Sequence, residues 1–373
     1  MNEYLLNNYI ETSFQKFLYP LNLAHFLVYS PKYCISDNFI TPNNNKTKYL
    51  SLCCALLFIV IVIVVVFHNE LRYNEGVLLL LFIIIYIIIA SSFIINFIVN
   101  SIQSDVNVEF IVTIQTINPS FQFFKIDFES FIFGNWIYVF ILSFSYIFLI
   151  GTHFYQSNFS LILCLYYIAL IISDVNVIYL TRVIQLLTHV TQTWMAELKH
   201  VDEMTKDTGI FWKESVQLKS IWKTLFKAYL DITNAASLYE EMAKIQIVFY
   251  IITDLFSVLL HVEIVLVYPD DFWSNTILGF IWTLKYFILI AIISFKTEEF
   301  FTTLKNTQVF FLLSDATDEC SGKHVLSKSV LRAGNAAYVG RDSGAFALDA
   351  RLPLSLLSCI ATHVVVILQF KLT

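Results

Sequence analysis

Charge is scarce in this chain: Asp, Glu, Lys and Arg make up 14% of its 373 residues, against about 25% in an ordinary soluble domain. The formal net charge of -6 leaves no basic footprint for nucleic acid. Only 9 glycines are present, and none of them builds a phosphate loop. There is no His-x-x-x-His pair for zinc and no nucleophile elbow; in Gly340-Arg-Asp-Ser-Gly344 the serine stands one place too late. The six cysteines (Cys34, Cys53, Cys54, Cys164, Cys320 and Cys359) lack ligand spacing, and four lie in apolar runs. They read as small buried hydrophobes rather than disulfides or metal ligands. The pattern therefore predicts no metal, no cofactor and no enzyme. The first 48 residues lack a basic stretch followed by a short apolar core, so the first apolar helix is expected to serve for targeting.

What the chain has instead is hydrophobicity: 57% of residues are apolar or aromatic and the mean hydropathy is +0.69. Seven runs are long enough to cross a bilayer core, at 49–67, 77–99, 131–150, 159–180, 245–267, 272–295 and 352–370. The segments between them alternate, long at 1–48, 100–130, 181–244 and 296–351 and short elsewhere. Of 23 lysines and arginines, 20 fall in the long set. By the positive-inside rule the expectation is an all-α membrane protein with seven transmembrane helices, the N-terminus cytoplasmic and the C-terminus extracellular. Polytopic insertion in the plasma membrane makes the lipid bilayer its first partner.

The long segments after spans four, five and six are patterned as helices. Val216, Ile221, Leu225, Tyr229, Leu230 and Ile232 recur at helical spacing, and 298–313 continues the sixth span in the same style. The expected organisation is a cytoplasmic N-terminal arm (1–48), six spans with helical extensions at 181–244 and 296–313 (49–313), a polar linker with one short helix (314–351), and a last span with a short tail (352–373).

Ionisable residues inside spans are costly in hydrocarbon and must find partners or water. Asp174, Asp254 and Lys285 each fall about 20 Å below the outer end of their span at 1.5 Å per residue. They are expected to form an intramembrane charge cluster, either as a structural ion pair or as the floor of a ligand pocket. Above it, the same helices carry Tyr166, Tyr167, His261, Glu263, Trp273 and Trp282, and the third span adds Trp136, Tyr138 and Tyr146. Such aromatic faces line small-molecule pockets, although tryptophans near membrane ends also form the interfacial belt. Tyr166, His261, Glu263, Trp282 and Lys285 are the pocket candidates.

The last span, 352–370, places its polar residues on one stripe. Ser355, Ser358, Thr362 and Gln369 lie within about 60° of one another at 100° per residue. Val365 and Val366 flank the gap and suit an apolar constriction. Small hydroxyls also pack membrane helices together, so the stripe fits either a helix contact or a pore wall.

The run Thr362-His-Val-Val-Val-Ile-Leu-Gln-Phe370 resembles the terminal signature of insect gustatory receptors: Thr-Tyr, five apolar residues, then Gln-Phe. His363 stands where that signature has tyrosine. Gly344-Ala-Phe-Ala-Leu-Asp349 is similar to the run that leads into the same helix, and the inverted seven-span topology also matches. The resemblance implies a tastant-gated, non-selective cation channel in the membrane of sensory neurons, with a small-molecule tastant as ligand and monovalent and divalent cations as permeant ions. It further implies a homo- or heterotetramer of related subunits, held by a cytoplasmic anchor built from the helical extensions. By the resemblance, ligand binds among helices in the outer half of the membrane. Ser355, Ser358, Thr362, Val366, Gln369 and Phe370 line the pore or its gate, with Gln369 and Phe370 at the outer gate. Two other classes stay open: a metabotropic seven-helix receptor, and a polytopic enzyme or transporter with His261 or His363 as its deep histidine.

Overall fold

A computed structural model of the chain describes residues 8–70, 76–156, 161–207, 216–267, 272–316, 332 and 351–372, in parts of some helices by backbone alone. The described chain is almost wholly helical. In order it forms α1 (Thr12–Leu27), a hairpin of β1 (Cys34–Ser36) and β2 (Phe39–Thr41), α2 (Asn45–Glu70), α3 (Gly76–Phe97), α4 (Ser104–Ile117), α5 (Phe128–Gln156), α6 (Leu161–Asp207), α7 (Val216–Val267), α8 (Phe272–Ala316) and α9 (Leu352–Leu372).

Among the described residues five helices are long and apolar enough to cross a membrane, and six if the bent pair α3–α4 counts as one span. The apolar part of α9 described here, Leu352–Val366, is shorter than that test requires. On α5, Phe140, Phe144 and Ile147 are 71%, 63% and 70% exposed, and α2 similarly exposes Leu56, Leu57, Val60 and Ile63. Contiguous apolar surface on this scale is unfavourable in water and ordinary in lipid, so the protein is membrane-embedded.

Within the N-terminal arm, residues 8–48 are structured and packed on the helices. In α1, Phe14, Phe17, Leu18 and Leu21 recur at helical spacing and are buried, seating the helix on α5 and α6. Its end is a Schellman closure, with Ser30 N–H donating to His25 O at 2.9 Å and Tyr29 N–H to Phe26 O at 3.0 Å. Tyr29 takes the left-handed position at φ 54° that glycine usually fills. The hairpin turns on Asp37 and Asn38, both at positive φ (51° and 66°). Both central residues at positive φ fit a two-residue type I′ turn, and short polar side chains tolerate it best after glycine. Asn44 then caps α2, its Oδ1 accepting the Thr47 N–H at 2.8 Å.

Segment 100–130, a linker by its sequence, holds a further helix. A π-helical turn (Ile98–Ile102) ends α3, and α4 leaves it at 53°. Val108, Ile111, Ile114 and Ile117 of α4 are buried, against α7. The turn that follows is pinned by Glu197 of α6. This carboxylate, wholly buried, accepts the successive N–H groups of Gln122, Phe123 and Phe124 at 2.8–3.1 Å. A buried acid is thereby satisfied without a cation.

Helices α6, α7 and α8 have 47, 52 and 45 residues, or roughly 70–80 Å at 1.5 Å per residue, more than twice a hydrocarbon core. All three run on well past any single crossing, and their continuations share a core. The Trp194 indole donates to Leu225 O at 2.8 Å and its ring lies 5.1 Å from Tyr229. Leu225, Tyr229 and Ile232 are buried there, but Leu230 is 40% exposed. It stands about 140° round the helix from Leu225, off the face the others share. The short helix expected within 314–351 lies outside the described residues, apart from single positions.

Candidate functional site

The charge cluster comes together where four helices meet. Lys285 of α8 donates from Nζ to Asp174 Oδ2 of α6 at 2.6 Å and to the Tyr146 hydroxyl of α5 at 3.1 Å. The Tyr146 hydroxyl in turn donates to Asp174 Oδ2 at 2.7 Å, and Tyr250 of α7 donates to Asp174 Oδ1 at 2.8 Å. Asp174 is wholly buried and thus accepts three hydrogen bonds. The ammonium also sits over three rings, at 3.9 Å from Trp282, 4.3 Å from Tyr286 and 4.8 Å from Tyr146. The rings brace one another: Trp282 stacks on Tyr286 at 5.9 Å, and Tyr146 meets Trp282 edge-on at 5.7 Å. Desolvated cation–π contacts can each be worth about 2 kcal/mol. The result is an aromatic cage with a carboxylate floor, filled by the protein's own lysine.

The spacing in the sequence explains the assembly. Trp282, Lys285 and Tyr286 are three and four apart, so one face of α8 carries both the cation and two cage walls. Gln246, Tyr250 and Asp254 are likewise four apart on α7. Asp254 is 1% exposed and lies within the electrostatic reach of Lys285, yet its Oδ1 has no hydrogen-bond partner. Lys285 pairs directly with one aspartate, Asp174, and feels the second only at a distance.

Of the other pocket candidates, Trp282 is a cage wall, whereas the side chains of Tyr166, His261 and Glu263 lie outside the described residues. Trp136 and Tyr138, grouped by sequence with the outer aromatics, sit elsewhere. Tyr138 faces Arg182 at 5.2 Å and Trp136 faces Tyr19 of α1 at 6.2 Å. Arg182 is eight residues beyond Asp174 on α6, so this level is about 12 Å from the ion pair. Helix α5 runs antiparallel to α6, and its first turns belong at the opposite end from Tyr146.

A second polar centre has no charge pattern in the sequence. Asn100, in the π-helical turn, accepts from Lys32 Nζ at 2.5 Å and from Gln246 Nε2 at 3.1 Å, and donates to Ser30 Oγ at 2.8 Å and Asn176 Oδ1 at 3.0 Å. Asn176 in turn donates to Asn96 at 2.9 Å. A cavity of about 10 Å³ lies beside it, lined by Asn96, Asn176, Gln246, Tyr250 and Thr253 among others, which is room for about one water. Tyr250 thus joins this amide hub to the cage. The available signal was Asn96 and Asn100, four apart in an apolar run, with Asn176 in another. Such amides need partners in hydrocarbon.

Helix α9 has two opposed faces. Pro353 and Leu356 are buried and Ile360 and Val364 half-buried, where the helix rests on α7 and α8. Ser355, Ser358, Thr362 and Gln369 are all exposed, as is Val366 at 42%. At 100° per residue the two sets stand about 180° apart. The stripe hydroxyls therefore do not pack α9 against α7 or α8. Thr362 donates its hydroxyl proton to Ser358 O at 2.9 Å, and His363 Nδ1 lies 2.8 Å from Cys359 O. The side chain of Phe370 lies outside the described residues.

Among the described residues no group of three or more His, Cys, Asp or Glu is placed to hold a metal ion. No protein-family profile matches the chain, and no curated protein matches its sequence.

Proposed function

We propose that the chain is one subunit of a tastant-gated, poorly selective cation channel of the insect gustatory-receptor type. In this reading seven helices span the membrane with the N-terminus inside and the C-terminus outside, and four copies of α9 line the pore. The observation that carries it is the exposure of Ser355, Ser358, Thr362 and Gln369 on the side of α9 turned away from α7 and α8. Hydroxyls such as those of Ser355 and Ser358, exposed on that face, are better placed against water or another chain than against hydrocarbon. Four copies closing around an axis supply both. With the Thr362 proton spent on the helix backbone, its oxygen lone pairs remain for a passing cation. A ring of glutamine oxygens from Gln369 replaces water without fixing ion size. Val366 and Phe370 provide the apolar closure.

The ligand site in this reading lies above the cage, among Tyr166, His261, Glu263 and Trp282. Coupling has a physical route, because α7 and α8 carry the cage and also bear α9. A ligand opens the gate only to the extent that it binds the open arrangement better.

Two measurements test the reading. An epitope placed after Thr373 is expected to stain intact cells; staining only after permeabilisation contradicts the orientation. Whole-cell recording during application of sugars and bitter compounds is expected to show cation current, reduced at least tenfold by Gln369→Lys. A second-messenger response without current would favour a metabotropic receptor instead.

A further inference from the structure

A third centre lies at the Arg182 level. Arg182 is 7% exposed and no carboxylate pairs with it among the described residues. Its guanidinium donates from Nε to Asn135 Oδ1 at 2.5 Å, from one terminal nitrogen to Gln185 Oε1, and from the other to Phe131 O at 3.0 Å. All three acceptors are neutral, and two of its five N–H groups remain. The rings of Phe131 and Tyr138 flank it at 5.3 and 5.2 Å. A buried cation without an anion is expensive, and aromatic faces offset only part of that cost.

The guanidinium forms one wall of an open cavity of about 390 Å³, within the range of small-molecule sites. Its other polar walls include Ser130, His189, Gln192, Lys296 and Glu299. Gly134 admits the arginine: a Cβ there would stand 2.7 Å from its terminal nitrogen. Two acids lie nearby: Glu299 lines the cavity, and Asp127 acts electrostatically on its His189 wall. Glu299 holds Lys296 at 2.8 Å, and Asp127 spends an oxygen on the Glu129 N–H at 3.0 Å. Neither carboxylate neutralises Arg182. The cavity also stands at the end of the apolar runs, where Ser130 begins that of α5 and Lys296 closes that of α8. Lipid headgroups lie where membrane-spanning apolar runs end.

We propose that this cavity binds a phosphate monoester, with Arg182 and Lys296 as its cationic contacts and Ser130, His189 and Gln192 as its hydrogen-bonding rim. The phosphate belongs either to an inositol-lipid headgroup or to a free soluble anion. Lys296 swings from Glu299 to the ligand, while Arg182 stays fixed by its neutral acceptors and presents its two free donors. The site lies below the cage and apart from the α9 stripe, so it stands whether or not the chain conducts ions.

The test is binding to the full-length protein in nanodiscs, read by native mass spectrometry and by displacement of a fluorescent short-chain phosphatidylinositol bisphosphate. Saturable binding, weakened tenfold or more by Arg182→Gln and threefold or more by Lys296→Gln, is the expected result. Lys296 is half-buried and its ion pair with Glu299 lies within its own helix, so its replacement is expected to leave folding intact and keeps the proposal testable if Arg182→Gln does not fold. Lys305→Gln, on the same helix, is expected to leave binding unchanged. Competition by soluble inositol trisphosphate and inorganic phosphate separates the sources: a lipid-only site resists both, and a free-anion site yields to them. Absence of saturable binding of either probe, or binding that Lys296→Gln leaves untouched, would overturn the proposal.

Discussion

Lys285 and Asp174 face each other at 2.6 Å between two of the longest helices. Two tyrosines donate to the aspartate and three rings enclose the ammonium. Breaking one partner strands the other, at a cost of about 3–5 kcal/mol. Lys285→Met is therefore expected to lower the yield of folded protein strongly. The double variant Lys285→Met with Asp174→Asn is expected to recover much of it, because neither member of the pair is then left facing an empty partner position. Size-exclusion profiles in detergent measure this, and equal yields for the single and double variants would show that the pair is not coupled.

Lys32 makes a prediction in pH. It lies in the N-terminal segment, 1% exposed, and burial holds its amine at about 7 rather than 10.5. A lysine whose folded pKa is depressed costs stability in full below that pKa, and the cost fades as pH rises toward the unfolded value. Lys32→Met is thus expected to stabilise the protein by on the order of 2–4 kcal/mol at pH 6. Asn100 Oδ1 keeps its bond from Gln246 in the variant. Thermal unfolding at pH 6 and pH 9.5 should show the gain shrinking at the higher pH. A gain that grows with pH would mean that Lys32 is charged and paired.

Gly134 is the opening through which Arg182 is seated. Gly134→Ala is expected to displace a guanidinium held by three hydrogen bonds, destabilising by about 1–3 kcal/mol as overpacking does. It should also weaken phosphate binding more than Lys305→Gln does. An unchanged melting temperature with unchanged binding would mean that the arginine sits elsewhere.

Glu197 caps three backbone amides in the turn between α4 and α5. Glu197→Ala leaves the N–H groups of Gln122, Phe123 and Phe124 without their acceptor, each costing roughly 1–3 kcal/mol where water is excluded. Hydrogen exchange at those three amides is expected to speed up at least tenfold, with little change in the Trp194 core. Unaltered exchange at 122–124 would contradict the capping.

The sequence carried the helical class and the membrane character plainly, because apolar runs of twenty residues have few other uses. It also placed Asp174 and Lys285 at one depth, since residue count converts to height along a helix. It did not show that Tyr146 and Tyr250 complete the pair, because a tyrosine in an apolar run reads equally as belt, core or site. Trp136 and Tyr138 were misplaced for a related reason: composition groups aromatics by span, whereas chain direction decides their level. The amide hub was hidden because it joins residues 32, 100, 176 and 246, far apart in sequence and individually unremarked. Helix α4 was missed because its amphipathic face is short and begins beyond a π-helical turn that interrupts the period.

The central claim, that the stripe on α9 faces a watery path, is tested most directly by cysteine accessibility in a Cys359→Ser background. Single variants Ser355→Cys, Ser358→Cys and Thr362→Cys are compared with Leu354→Cys and Leu357→Cys, using a charged thiol reagent on open membrane sheets. A thiol in hydrocarbon stays protonated and unreactive, whereas one facing water ionises and is modified. The account predicts rapid labelling on the stripe and little at the two leucine positions. Labelling confined to the leucine positions, or absent from all five, would contradict it.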